Sequence, residues 1–224
     1  MDRMTAARQL IDAGRWVAEK GMTWGSAGNM SIRLNEEEVL ITASGTSFGA
    51  LTEDSFTLYN IRTGAWSGGK PSKELPVHLG IYRQSPWAGA ALHASPFHTT
   101  LAAASDLELR NDLFVENMYY LQRLAYVPYE HPGSDALAEA VAEAAPRANV
   151  IMMKNHGVIL YDATMAEAMQ GLEVLENTCR MCLAARSAGL TFAPVEPAKV
   201  EDFLLRSGYR TPRAWREECG MRNA

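Results

Sequence analysis

The sequence predicts an α/β fold in which helices cover an antiparallel or mixed sheet. Short strand-like runs precede and alternate with segments of helical period. Several of these runs are joined by connections of hairpin length, which favours antiparallel pairing. No internal repeat, linker or low-complexity tract interrupts them. One domain spanning residues 1–224, with one core, is expected, since single cores stop growing only beyond roughly 250 residues.

The elements follow in order. Residues 3–20 place Ala7, Leu10, Ile11, Gly14, Val17 and Ala18 at helical spacing, and Gly21 stands where a C-cap belongs. The small residues of WGSAGN form a tight connection into a strand starting near Met30. EVLITASG reads as a second strand ending at Ser44-Gly45, and SFTLYNI as a third, closed by the turn signal Arg62-Thr63-Gly64, so the opening third reads as a meander. Residues 74–84 are helical, with Pro76 tolerated in the first turn. AGAALHA is a short buried strand that ends at His93, and PFHTTLAAA starts a helix at Pro96. LAYVPY is a further strand, and SDALAEAVAEAA a helix N-capped by Ser134. NVIMMKNHGVILYD is two strands joined at Asn155-His156-Gly157. Residues 164–189 form the longest helix, suited to a core element or a subunit contact. The tail carries a short helix from Pro197, then SGYRTP and a final amphipathic turn.

Composition bounds the class. A hydrophobic fraction of 47% with 21% charged residues is that of a folded globular chain. A formal charge of -5 with scattered Lys and Arg argues against a nucleic-acid binder, while a few local donors still suffice to hold one phosphate. No apolar run approaches the ~20 residues that cross a bilayer, so no membrane partner is expected. Three cysteines, Cys179, Cys182 and Cys219, behind an amphipathic N-terminus rather than an apolar leader favour a reduced, cytoplasmic setting. The lone Cys179-x-x-Cys182 lies inside a helical pattern and reads as structural.

Several residues carry potential chemistry. His93 and His156 each stand at a strand edge beside small or turn residues, where an imidazole can point into a cleft. KPSKE brings a hydroxyl, an ammonium and the Glu74 carboxylate together at a helix start. GSAGN and ASG are glycine turns whose backbone N–H groups and hydroxyls suit a phosphate. Taken singly, the histidines read as satisfied polar groups, KPSKE as an N-capped helix with Glu74 at the positive end of the dipole, and the glycine segments as turns.

The ordered set WGSAGNMSIR, LITASG, KPSKELPVHLGIY, ALHASPFHTT and KNHGVIL, followed by a long helix, resembles the class II aldolase/adducin family over about residues 5–190. The resemblance is strongest to L-fuculose-phosphate and rhamnulose-phosphate aldolases and ribulose-phosphate 4-epimerases. It implies a three-layer α/β/α arrangement around a mainly antiparallel sheet. It also implies a ring-like homotetramer with sites between subunits, and a divalent metal, usually zinc. Carried over by position, Gly28, Asn29, Ser44, Gly45, Ser72 and Lys73 match the residues that hold the substrate phosphate. Glu74 matches the acid/base carboxylate, which also ligates the resting metal; His93 and His156 match metal ligands. A tyrosine near the C-terminus, for which Tyr209 is the candidate and Tyr119 and Tyr120 the alternatives, would exchange a proton with the aldehyde oxygen in a neighbouring subunit's site.

The implied activity is retro-aldol cleavage of a ketose 1-phosphate to dihydroxyacetone phosphate and an aldehyde. Epimerisation, dehydration, decarboxylation of a sugar acid and a non-catalytic adducin-like assembly module are the alternatives, because fold alone does not select a reaction. One departure is consequential. The family's His-x-His reads His93-Ala94-Ser95, so a hydroxyl replaces an imidazole. Three outcomes are open: a weaker site that uses Mn or another divalent ion in place of Zn, substitution by His98, or loss of metal chemistry.

Overall fold

The computed structural model describes residues 1–213 and Trp215. The expected final amphipathic turn and Cys219 lie outside the described residues. The chain runs α1 (Arg3–Glu19), β1 (Asn29–Arg33), β2 (Glu38–Thr42), β3 (Phe56–Asn60), β4 (Trp66–Gly68), α2 (Leu75–Gln84), β5 (Ala90–Ala94), α3 (Phe97–Ala103), α4 (Val115–Tyr120), β6 (Leu124–Val127), α5 (Asp135–Ala144), β7 (Val150–Met153), β8 (Gly157–Asp162), α6 (Met165–Ala188) and α7 (Pro197–Arg206).

Caps account for several boundaries. The Asp2 carboxylate accepts from Thr5 N at the start of α1. Ser134 and Thr164 do the same for Leu137 and Glu167 at the starts of α5 and α6. Gly21 and Gly189, at φ +65° and +67°, take the left-handed conformation that ends α1 and α6. Two elements escape the sequence reading. The fully exposed, three-residue β4 is too short to show a period, and α4 is a six-residue helix in a stretch without periodicity.

All eight strands form one sheet in the order β4-β3-β2-β1-β5-β8-β7-β6. Neighbouring strands are antiparallel except for β6 and β7, which are parallel. The first four strands are the expected meander. The expectation of one core is corrected, since the sheet is covered on both faces and divides the apolar interior in two. Met30, Ile32, Leu40, Leu92, Met152 and Leu160 point to the side of α1, α3 and α6. Their alternating neighbours Val39, Ile41, Ala91, Ile151, Ile159 and Tyr161 face α2 and α5. Burial on both faces is why VIMM and GVILYD read as unbroken apolar runs instead of alternating ones.

Cys179 and Cys182 are free thiols buried in α6, and burial pushes the Cys179 thiol up to about 12, far from the thiolate needed for redox or metal work. Among the described residues no helix is long and apolar enough to cross a membrane.

Candidate active site

Antiparallel order places the ends of β2 and β5 and the beginnings of β1 and β8 at one end of the sheet. Asn29 pairs with His93 across β1 and β5, and Ala94 with Val158 across β5 and β8, so His156, just before β8, arrives beside His93. The chain after β2 forms a bridge between Ala43 and Pro71, which seats KPSKE against the same end and delivers Glu74 to the first turn of α2. Glu74 makes no side-chain cap bond, and the Ser72 hydroxyl accepts the Glu74 N–H at 3.3 Å instead. The carboxylate is thereby free to face the imidazoles.

A cleft of about 580 Å³ opens at this end. Its walls include all eight residues expected at the site from the first two thirds of the chain, namely Gly28, Asn29, Ser44, Gly45, Ser72, Lys73, Glu74 and His93, together with His156. Glu74 Oε2 lies 3.5 Å from His93 Nε2, and Oε1 3.3 Å from His156 Nε2. One ligand atom from each of the three falls within 4.8 Å of the others.

The hydrogen bonds test whether a cation fits. His93 Nδ1 donates to the Val158 carbonyl at 2.9 Å, which leaves a bare lone pair on the Nε2 that faces Glu74. Glu74 Oε1, which faces His156 Nε2 at 3.3 Å, is buried without a hydrogen-bond partner among the described residues. Acceptors aimed at one another in a buried place cost on the order of 1–3 kcal/mol each, and a divalent cation between them removes that cost. Burial alone would raise the Glu74 pKa, but the His93 imidazole, the Asn29 amide and the His156 imidazole together hold it below its ordinary value. Burial, with His93 alongside, lowers the His156 pKa and so favours its neutral, ligating form.

The structure does not bring His98 into this group. Its Nδ1 lies 2.7 Å from Glu176 of α6. The same carboxylate also accepts the His98 and Thr99 N–H groups and the Thr99 hydroxyl, closing the N-terminus of α3. Substitution by His98 is therefore excluded by position. Ser95 does line the cleft, buried, with its hydroxyl 3.4 Å from the His156 carbonyl.

The residues expected around a phosphate differ in what they can offer. The Ser44 and Ser72 N–H groups are spent on the Lys70 and Thr42 carbonyls, which leaves their hydroxyls as the groups that can face the cleft. Gly28, at φ +94°, lies so close to the His93 carbonyl that a Cβ would sit 2.7 Å from it. Gly133 packs closely on Lys73, where a Cβ would sit 2.9 Å from the Lys73 Cβ, and Lys73 is an exposed residue of the cleft wall. Asn29 departs from expectation, since both groups of its amide are engaged, Nδ2 on Glu74 at 2.6 Å and Oδ1 on His78 at 2.5 Å. Thr100 was not anticipated; its buried hydroxyl lines the cleft without a hydrogen-bond partner among the described residues. Nothing in the sequence marks it, because it precedes no turn and belongs to an ordinary helix.

Tyr209 is placed elsewhere. It stacks on Tyr119 and Phe203 with ring centroids 5.8 and 5.3 Å apart, near the tail that Arg213 ties to Asp162 at the far end of β8. Neither it nor Tyr119 nor Tyr120 lines this chain's own cleft.

A carboxylate and two imidazoles converging beside hydroxyl- and glycine-bearing turns, at one end of a helix-covered antiparallel sheet, define an enzyme with a candidate divalent-metal centre. The chain belongs to the class II aldolase and adducin family, whose N-terminal domain matches residues 8–183. It is 32% identical over 176 residues to a 3-oxo-tetronate 4-phosphate decarboxylase of Haemophilus influenzae, covering 77% of this chain and 84% of the relative. It is 34% identical over 158 residues to an L-fuculose phosphate aldolase of Methanococcus vannielii, covering 70% and 84%. The solved structure of YgbL from Klebsiella pneumoniae superposes with a TM-score of 0.80 at 27% identity, over 91% of this chain and 99% of that one.

Proposed function

We propose that this enzyme decarboxylates a four-carbon 3-oxo sugar acid carrying a terminal phosphate, releasing carbon dioxide and dihydroxyacetone phosphate. The observation that carries the reading is the 32% identity to the Haemophilus decarboxylase over 84% of that protein, and the chemistry the reaction needs is compatible with the cleft. Retro-aldol cleavage must remove the hydroxyl proton of the aldehyde half, which calls for a second acid/base group beyond the carboxylate. A 3-oxo acid needs none there: its carboxylate is already ionised, the C–C electron pair moves toward the carbonyl oxygen, and carbon dioxide departs neutral. The cleft offers Glu74 as a proton carrier for the carbon atom.

In this reading Gly28, Gly45 and the hydroxyls of Ser44 and Ser72 hold the phosphate, with Lys73 adding charge at the rim. Glu74, His93 and His156 would hold a divalent ion, zinc or manganese, with Ser95 leaving more of the ion's coordination to substrate or water. Bound there, such an ion supplies Lewis-acid stabilisation for charge that develops on a carbonyl oxygen. Glu74 swings away as substrate enters, loses the two imidazoles that hold its pKa down and keeps its burial, so it takes up a proton from solvent. It then delivers that proton to the enediolate carbon. The net change is one carboxylate and one proton converted to C–H and carbon dioxide.

The second reading is retro-aldol cleavage of a ketose 1-phosphate, favoured by the similarity to the Methanococcus aldolase. It passes through the same enediolate and needs Tyr209 from a neighbouring copy in a homotetramer. One experiment separates the two. Protein loaded with Zn²⁺ or Mn²⁺ is given 3-oxo-tetronate 4-phosphate and, separately, a panel of ketose 1-phosphates. Equimolar carbon dioxide and dihydroxyacetone phosphate are expected from the acid, reduced by about 10²–10⁴-fold in Glu74→Gln and unchanged in Tyr209→Phe. Aldehyde release from a ketose 1-phosphate that fails in Tyr209→Phe, with no carbon dioxide from the acid, overturns the decarboxylase reading.

A further inference from the structure

Behind Glu74 lies a chain of buried polar groups that the proposed chemistry does not use. Asn29 Nδ2 donates to Glu74 Oε2 at 2.6 Å, and Asn29 Oδ1 meets His78 Nε2 at 2.5 Å. His78 Nδ1 meets the Ser31 hydroxyl at 2.7 Å, and that hydroxyl meets the Tyr82 hydroxyl at 2.8 Å. Tyr82 also donates to the Ser31 carbonyl at 3.1 Å. His78 and Ser31 are 0% exposed, Tyr82 3% and Asn29 6%, so no water competes for these bonds.

The directions of these bonds follow from one end. A carboxylate only accepts, so the Asn29 group against Glu74 is its NH₂ and the group against His78 is its carbonyl. His78 Nε2 must then carry the proton, which leaves Nδ1 as an acceptor for the Ser31 hydroxyl. The Ser31 hydroxyl oxygen lies beside the phenol of Tyr82, whose single proton is shared between that oxygen and the Ser31 carbonyl. Every link is satisfied by a neutral His78 in the Nε2–H tautomer. Burial, the dominant influence, lowers the His78 pKa to about 3, so the ring stays neutral across the working range.

We infer that His78 is a positioning residue for Glu74: through its Nε2–H it fixes the Asn29 amide with the NH₂ toward the carboxylate and so holds Glu74 in register with His93 and His156. Without that donor the Asn29 carbonyl oxygen is left buried and unpaired, and the amide is held at one end only, by the carboxylate it serves. The inference rests on Glu74 as a ligand of the divalent ion and not on which reaction the enzyme performs.

The test uses the full-length protein and needs no substrate. In ¹⁵N-histidine-labelled metal-free protein, His78 is expected to show a protonated Nε2 and an acceptor-type Nδ1 at pH 7. Titration with Co²⁺, followed by its visible absorption, is expected to show binding weakened by about 10–100-fold in His78→Leu. His78→Gln keeps an N–H donor near the Nε2 position and is expected to bind within about threefold of the native protein, given that a lost charge-assisted contact and not packing carries the effect. Circular dichroism and thermal unfolding establish that each variant is folded. If His78→Leu does not fold, Ser31→Ala, which removes the donor to Nδ1, replaces it, with loss of the fixed tautomer as the expected result. A protonated Nδ1 in the native protein, native Co²⁺ affinity in a folded His78→Leu, a tautomer unchanged in Ser31→Ala, or a Gln variant as weak as Leu overturns the inference. Glu74→Gln is titrated in parallel. Unchanged affinity there, with the Nε2–H tautomer observed, places the failure in the ligand reading of Glu74 instead.

Discussion

His78 ties the chemistry of the cleft to the stability of the protein. Its folded pKa of about 3 lies below the ordinary histidine value of 6.5 because burial disfavours the charged ring. The unfolded chain therefore binds a proton between those two values that the folded chain does not. Stability is full above pH 6.5 and is lost as pH falls toward 3, at on the order of 1 kcal/mol per pH unit. Urea midpoints measured from pH 7 to pH 4.5 are expected to fall for the native protein and to fall less steeply for His78→Gln; parallel slopes would count against a buried neutral ring. At this scale the sequence was informative about Glu74, His93 and His156, since each stands in a recognisable motif at an element boundary. It was less so for Asn29, whose amide turns out to serve Glu74 as well as lining the cleft. His78, four residues after Glu74 on one helix, is legible only as an i,i+4 pair, and its importance comes from β1 lying beneath it.

Glycine positions show how whole elements, more than single side chains, set the geometry of the site. Gly28 combines φ +94° with a backbone packed on the His93 carbonyl and the Phe48 ring. Gly28→Ala therefore adds conformational strain and a steric push between β1 and β5, where Asn29 and His93 pair. A loss of about 1–3 kcal/mol is expected in urea unfolding, together with weaker divalent-ion binding as the two strands move apart. Gly45→Ala is the control: it has a similar φ of +82° but open space around it, so strain without the push is expected to leave metal affinity unchanged. The long regular elements were readable from periodicity and caps. The short ones, β4 and α4, were not, because three exposed residues or a six-residue helix offer no repeat to read and exist only where neighbouring strands and α6 provide a surface.

Ligand binding and assembly are properties of the molecule as a whole. A divalent ion that binds only the folded cluster stabilises it by about 2.7 kcal/mol at a hundredfold excess over Kd, which corresponds to a Tm higher by roughly 5–10 °C for a chain of this size. Chelation is expected to remove that increment in the native protein and to change nothing in His156→Ala, as read by thermal unfolding. Assembly is expected through the outer face of α3, where Phe97 and Leu101, 63% and 45% exposed, stand one turn apart; Trp24, 49% exposed, lines the cleft. Sedimentation velocity is expected to give a tetramer that Phe97→Glu dissociates; a monomeric native protein would refute it.

The sequence by itself determined the helix-covered sheet, the meander, the caps and three of the site's chemical groups, because these depend on local period and on motifs a few residues long. Only the tertiary structure decided which of those groups meet. Whether His98 could replace the imidazole missing at Ser95 depended on where α6 places Glu176, and the Glu74 carboxylate is held by an amide on a strand distant in the chain. Both were settled by contacts between residues 45 or more positions apart in the chain, for which a linear pattern carries no signal.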